Sequence, residues 1–544
     1  MVFQAGKMRP ESLMHVSRRS FLTGAAALGI VAAGSLSGCT AGGGSASDTN
    51  SSDSANEDQA AEVSAPTTID ETIDVDVVVV GAGISGLSAA VQASENGLKT
   101  LVLEKGSEAG GNGVGTEGIF GVDSAIQKDL GIEIEPADII RTELEESQWR
   151  SSGALWYDLV SNSADNIEWL KTNGVEFSGV VDNYHTGLYE TMHWWKGDAG
   201  AVGYVPQMQT AAEKNGAEFR FSTPATALIF EEDTAKGVFA QDEEGKNIQV
   251  NAKAVILCSG GIGANAELLP LTGMPQSMIE EMQVMCVPTV SGDGYNMARS
   301  AGCKSNLNNA SIQAFCAIEG FPNDTEPPYS QLACGMGLVN CGFAMWVDQD
   351  GMRFTDESIG VNFNVATPAV TCMGNRESYV LFTQEFVDTL AANPDDKEYL
   401  DSAMAATLGK SVFEAETIEE LADMCSLPKD NLSEALNMYN GFCEQGFDGQ
   451  FGKPAEFLKT LSSPPYYAAK ISSLFIVVDG SIATNIRAEV LNENSMPISG
   501  LYAAGLDGAM LWHNIYTQNM PGSCVGNNVH TGRVAANSAK EYIG

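Results

Sequence analysis

The stretch Val75–Gly106, VDVVVVGAGISGLSAAVQASENGLKTLVLEKG, constrains this chain more than any other. Val77–Val80 is an unbroken β-branched run, the pattern of a strand buried on both faces of a parallel sheet. Gly81-x-Gly83-x-x-Gly86 follows at once, then a run of small residues with helical character to Asn96-Gly97. Lys99–Leu103 reads as a second strand, ended by Glu104. Gly81 permits a tight turn, Gly83 lets backbone approach a pyrophosphate, and Gly86 lets helix and strand pack closely. The helix N-terminus offers free N–H groups and a positive dipole end. Glu104 lies 23 residues past Gly81, where an acid binds adenosine ribose hydroxyls. Ser85 and Lys105 flank the same cradle. Strand, glycines, helix, strand and acid in that order specify a dinucleotide site.

Three further segments separate FAD from NAD. Gly110-Gly111-Asn112 stands where backbone N–H groups are needed for a second phosphate and a ribityl chain. Ala254–Leu257 leads into Cys258-Ser259-Gly260-Gly261, a strand ending in a glycine pair. Gly500–Gly505 reads as a late strand returning to the first sheet, with Asp507 just beyond it. Together they resemble the α/β folds that hold FAD extended and non-covalently.

The N-terminus adds a constraint on where folding happens. Arg18-Arg19 is a twin-arginine pair, followed by a mild apolar run from Phe21 to Leu36 that is too short for a membrane span. Leu36-Ser37-Gly38-Cys39 has the form of a lipoprotein cleavage box. Residues 1–38 are therefore expected to be a removable signal, Cys39 the lipidated first residue, and 39–73 a flexible tether. Twin-arginine export carries folded cargo. A cofactor loaded in the cytoplasm explains that route. The expected location is the extracytoplasmic face of the cell membrane, held by the lipid anchor only.

The formal charge of −41, from 29 Lys+Arg against 70 Asp+Glu, argues against nucleic acid as a partner. Eleven cysteines are scattered without C-x-x-C or zinc spacing, so no metal site is expected.

From Asp74 onward the chain resembles the flavoprotein family of soluble fumarate reductases, with urocanate reductase, 3-ketosteroid dehydrogenases and cardiac glycoside reductase as relatives. The segments that carry the resemblance are the Gly81 loop, Gly110–Asn112, Cys258–Gly261, Gly292-Asp293-Gly294, Gly351–Glu357 and Gly500–Gly505. The resemblance implies a Rossmann-like FAD domain, 74–313 and 477–544, interrupted by an α+β capping domain at 314–476. It adds Asp293, Gly260, Gly505, Asp507, Gly522 and Ser523 to the cofactor-binding candidates. It also implies hydride transfer from reduced flavin to an activated C=C bond.

The family's fumarate chemistry uses cations that this chain lacks. The position of the proton-donor arginine falls on Val361, and its relay partners fall near Met336 and Val339. The two histidine positions fall on Phe315 and near Ile476. An unpaired buried carboxylate is very costly, so a dicarboxylate is a poor fit and a neutral, apolar, enone-like substrate a better one. Fumarate- or urocanate-type reduction, 3-ketosteroid-type desaturation and a non-catalytic FAD-containing lipoprotein remain the alternatives.

Tyr516 occupies roughly the place where steroid dehydrogenases of the family keep a tyrosine on a substrate carbonyl; the other reading is a core tyrosine. His513 is a second candidate acid. Glu117 stands near the expected isoalloxazine and would donate a proton if an apolar pocket raised its pKa. Arg353 is retained from the family and is the fourth catalytic candidate, with bracing of the capping domain the favoured reading over proton transfer. Trp194 and Trp195 point oppositely if they share a strand, so one is core. With no haem motif or second Rossmann unit, electrons are expected from a separate donor, such as a membrane cytochrome or a quinol-linked protein.

Overall fold

The computed structural model describes residues 65–184, 187–274, 276–322, 335–372, 377–391 and 394–544. Arg18, Arg19 and Cys39 lie outside these residues.

The valine run sits at the centre of an eight-stranded sheet. Glu71–Val80 pairs in parallel with Thr100–Leu103 on one side and Asn247–Leu257 on the other. Both faces are covered, which is why Val77, Val78 and Val79 are fully buried and the run does not alternate. Each such side chain contributes roughly 1.5–3 kcal/mol of burial. Pro497–Ala503 joins the same sheet from far along the chain, with Leu501 opposite Val255 and Ala503 opposite Leu257. The C-terminal helix Ser523–Ile543 packs on the helix Ile84–Glu95. Gly532 makes that approach possible, since a Cβ there would lie 2.4 Å from the Ser85 carbonyl oxygen.

A second, six-stranded sheet is organised by the long strand Tyr466–Asp479. Ser311–Ile318 and Ser378–Thr383 pair antiparallel with it, and Met345–Asp348 extends the sheet beyond. The expected domain limits fall on facing strands, Ala314 opposite Phe475. Helices Ile418–Cys425 and Lys429–Gln445 cover this sheet through a core that includes Leu421, Leu432, Leu436 and Tyr379. A small third sheet, Gly118–Phe120, Phe177–Asp182 and Met192–Trp195, lies beside the first. In it Trp195 is fully buried, while Trp194 is half-buried and tilts onto Tyr184 at 5.7 Å. One of the pair is core, as the alternation of a strand requires.

Candidate active site

Between the first and second sheets lies a cavity of about 870 Å³. One end of it is the glycine cradle. A Cβ at Gly81 would lie 2.3 Å from the Cys258 carbonyl oxygen, and one at Gly86 1.9 Å from the Gly81 carbonyl oxygen. Those two glycines serve the packing of strand, turn and helix. Gly83 differs: its φ of −76° suits any residue and a Cβ would meet nothing of the protein closer than 3.7 Å. It lines the cavity, so its missing side chain leaves room for a ligand.

Several side-chain atoms fit an extended FAD. The Glu104 carboxylate is fixed by the N–H groups of Ala82 (2.7 Å) and Gly106 (2.6 Å) and borders the cavity. Gly110 and Gly111 turn with φ of 126° and 52°, and Gly110 donates to the Ala82 carbonyl. Asn112 accepts from the Val287 N–H at 2.7 Å, while its buried Nδ2 has no partner. The buried Oδ1 of Asn528 and Oε1 of Gln518 are likewise unpartnered, and all three residues line the cavity. Gly522 places the N-terminus of the C-terminal helix at the same wall. Orphaned buried donors and acceptors are costly unless a ligand meets them. The lining therefore suits a long polar cofactor.

Other expected cofactor contacts take different places. Lys105 and Asp293 both border the cavity but pair with one another at 2.8 Å, and Lys105 also reaches Ser291. Asp507 lies behind the wall, where it accepts from the Ser259 and Gly261 N–H groups and braces the glycine pair that includes the cavity-lining Gly260. Burial pushes its carboxyl up to about 6. Gly505 is packed against Ser85, where a Cβ would lie 2.3 Å from Oγ. Ser523 bonds Tyr516 through its hydroxyl at 3.3 Å.

The other end of the cavity is lined by Phe315, Met336, Val361 and Ile476, the positions that match the family's cations. Val339 is buried elsewhere, in the core of the second sheet. Among the described lining residues Lys105 is the only cation, and it is already paired.

Tyr516 faces this chamber with its ring tilted on Trp512 at 4.8 Å. Its oxygen accepts from the Ser523 hydroxyl and, at 3.4 Å, from the Cys524 N–H. Both contacts use lone pairs, so the phenol proton stays free to be donated. Burial holds that proton far above the usual phenol range. Glu117 also lines the cavity; burial raises its pKa, and it is hydrogen-bonded to Tyr184. Asp479 lies fully buried beneath the chamber floor, bonded by Ser311, Gln313 and the Cys524 thiol, with burial pushing it up to about 6.

Two of the four catalytic candidates are placed elsewhere. His513 does not reach the cavity; it is half-buried near Arg150, and burial and that charge lower its pKa. The chain turns at Asn514, which has a φ of 64°, so His513 and Tyr516 do not share a face. Arg353 is buried away from the cavity, paired to Glu357 at 2.8 Å and Asp448 at 3.0 Å, with Lys453 on the far side of Glu357. It braces the second sheet. Tyr184, Gln313, Gln518, Cys524 and Asn528 are among the polar lining residues that motifs missed. Gln518, Cys524 and Asn528 flank Gly522 in sequence and were within reach; Tyr184 and Gln313 carry no local signal.

Residues 76–519 match the model of the FAD-binding domain family. The vinyl phenol reductase of Lactiplantibacillus plantarum is 32% identical over 492 residues, covering 86% of this chain and 96% of that one. A probable fumarate reductase of Shewanella frigidimarina is 24% identical over 474 residues, covering 86% and 75%. The crystal structure of a 3-ketosteroid dehydrogenase from Rhodococcus jostii superposes with a TM-score of 0.68 at 20% identity, covering 87% and 98%, a likeness of fold. The chain belongs to the FAD-binding domain family and is an FAD-dependent oxidoreductase.

Proposed function

We propose that this enzyme is an exported, lipid-anchored reductase that saturates a C=C bond in a neutral, mostly apolar substrate, a styrene-like or enone-like molecule. The observation that carries the reading is the chamber lining: Phe315, Met336, Val361 and Ile476 where a dicarboxylate would need cations. The similarity to a vinyl phenol reductase supports it from a separate direction. Bound and reduced FAD supplies a hydride. The chain's residues do the rest. The apolar wall excludes water and orients the alkene, and the Tyr516 hydroxyl is free to bond a substrate oxygen as charge moves onto it. Electrons come from a separate donor.

Anaerobic reoxidation of the dithionite-reduced protein tests the substrate class. 4-Vinylphenol or cyclohexenone should restore the oxidised flavin spectrum much faster than fumarate or acrylate. Fast reoxidation by fumarate overturns the reading, and reoxidation by none of the four favours a non-catalytic role. Export is tested by replacing Arg18 and Arg19 with Lys, which should retain the protein in the cytoplasm. Cys39→Ala should leave it exported but released; a membrane-bound Cys39→Ala protein would point to a different anchor.

A further inference from the structure

Saturating a C=C bond takes a proton as well as a hydride, and the residues at the family's proton-relay positions, Val361 and Met336, carry none. Tyr184 is a second phenol of the chamber. It lines the cavity, is hydrogen-bonded to Glu117, and lies near enough for the charge of Tyr516 to act on it. Its backbone holds a φ of 43°, a left-handed conformation that is strained for a non-glycine residue. Asp182 holds it there, accepting from the Tyr184 N–H at 3.0 Å and from Trp194 Nε1 at 2.9 Å, the indole on which the Tyr184 ring rests. Glu117 is fixed from behind, its carbonyl accepting from the Trp195 N–H at 2.9 Å.

We propose that Tyr184 is the proton donor of the reduction and that Glu117 recharges it. This rests on the C=C reductase reading above. The surroundings of the two tyrosines divide their roles. The Tyr516 oxygen is met by two donors, and the nearest carboxyl, Asp479, bonds the Cys524 thiol instead of the phenol, which suits holding a substrate oxygen as it becomes negative. The Tyr184 oxygen is met by a carboxyl that can replace its proton. The groups facing Glu117 are Tyr184, Asp182 and Asp198, while Tyr516 acts on Tyr184. None is cationic: burial, helped by the charges of Asp182 and Asp198 and opposed by the Tyr184 hydrogen bond, raises the carboxyl's pKa.

In the step, the π bond breaks and hydride from the reduced cofactor forms a C–H bond at one carbon. The Tyr184 proton forms the second at its neighbour. The Glu117 proton moves to the Tyr184 oxygen as this happens, so no tyrosinate is left in the buried site. Glu117 then takes a proton from water. The two electrons come from the flavin, reduced beforehand by the external donor.

The test uses FAD-loaded wild type, Tyr184→Phe and Glu117→Gln, on whichever acceptor reoxidises the wild type fastest. Wild-type kcat should fall as pH rises through the Glu117 titration. Tyr184→Phe should lower kcat by about 10²–10⁴ with KM little changed. Glu117→Gln should lower kcat at acid pH and abolish the alkaline fall. An unchanged kcat and pH profile in Tyr184→Phe overturns the relay, whereas preference of the wild type for fumarate overturns only the substrate reading. Infrared difference spectra against pH supply a readout that needs no substrate: a carboxylic-acid C=O band should be lost in Glu117→Gln and shifted in Tyr184→Phe. No difference between the three proteins overturns the proposal.

Discussion

Two buried polar regions of this enzyme solve opposite problems. In the second sheet, Arg353 and Lys453 are buried with Glu357 and Asp448, two positive against two negative charges, all almost wholly out of water. The guanidinium also lies over the Tyr439 ring at 5.0 Å. In the chamber, the positions matched to the family's cations hold Phe, Met, Val and Ile, and among the described lining residues the one cation, Lys105, is already paired. The fold can evidently bury an arginine when it supplies carboxylates. The contrast between this brace and the apolar chamber is what the proposed substrate class rests on, since burying cations lies within this fold's means.

The two regions should therefore fail separately. The largest effect is expected at the cofactor end of the cavity. Gly83→Val adds a side chain to open space at a φ any residue can adopt, so the chain should fold with an unchanged denaturation midpoint for its apo form and yet purify without flavin. Yellow Gly83→Val protein at full occupancy would break the cradle assignment.

The converse change is Asp448→Ala, which leaves Arg353 short of a partner in a buried site. A destabilisation of about 3–5 kcal/mol is expected in urea unfolding of the holoenzyme, with flavin still bound below the transition. A loss under 1 kcal/mol would mean that the network is not a brace.

Tyr516→Phe removes one hydroxyl and keeps the ring on Trp512. Turnover on the best neutral acceptor should drop about 10²–10³, some 2.7–4 kcal/mol of transition-state stabilisation. Binding should weaken much less, because the bond strengthens as charge develops. Near-normal turnover would return Tyr516 to the core.

The smallest effect is the sharpest on the comparison. Val361→Arg restores a single cation to the chamber without the histidines or the carboxylate relay. Fumarate reduction should stay at the wild-type level. A gain of tenfold or more would show that one charge, rather than the whole set, separates this chamber from a dicarboxylate site.

Much of this was legible in the sequence, and unevenly so. The Val77–Val80 run, the Gly81 turn, Glu104 and the return strand at Gly500–Gly505 are read from contiguous residues because their jobs are local. Burial on both faces dictates an apolar run, and close backbone approach dictates glycine. Trp194 and Trp195 were separable for the same reason. The loss of cations at Phe315, Met336, Val361 and Ile476 was also visible, because each position could be matched within a short motif.

Side-chain direction in irregular chain was not legible. His513 and Tyr516 are three residues apart, and only the turn at Asn514 decides that one faces the chamber and the other faces Arg150. Asp507 and Ser523 sit in the expected segments but spend their hydrogen bonds on Ser259, Gly261 and Tyr516. Arg353 finds Glu357 four residues away, but Asp448 and Lys453 arrive from nearly a hundred residues further on. Tyr184 meets Glu117 only because Met192–Trp195 pairs with both Gly118–Phe120 and Phe177–Asp182 in one sheet. The sequence alone determined the strand, glycine turn, helix and acid of the cradle, since backbone geometry and glycine suffice for that. Only the tertiary structure decided which acids meet in the chamber, because hydrogen bonds and pKa shifts depend on distances between segments that no local pattern records.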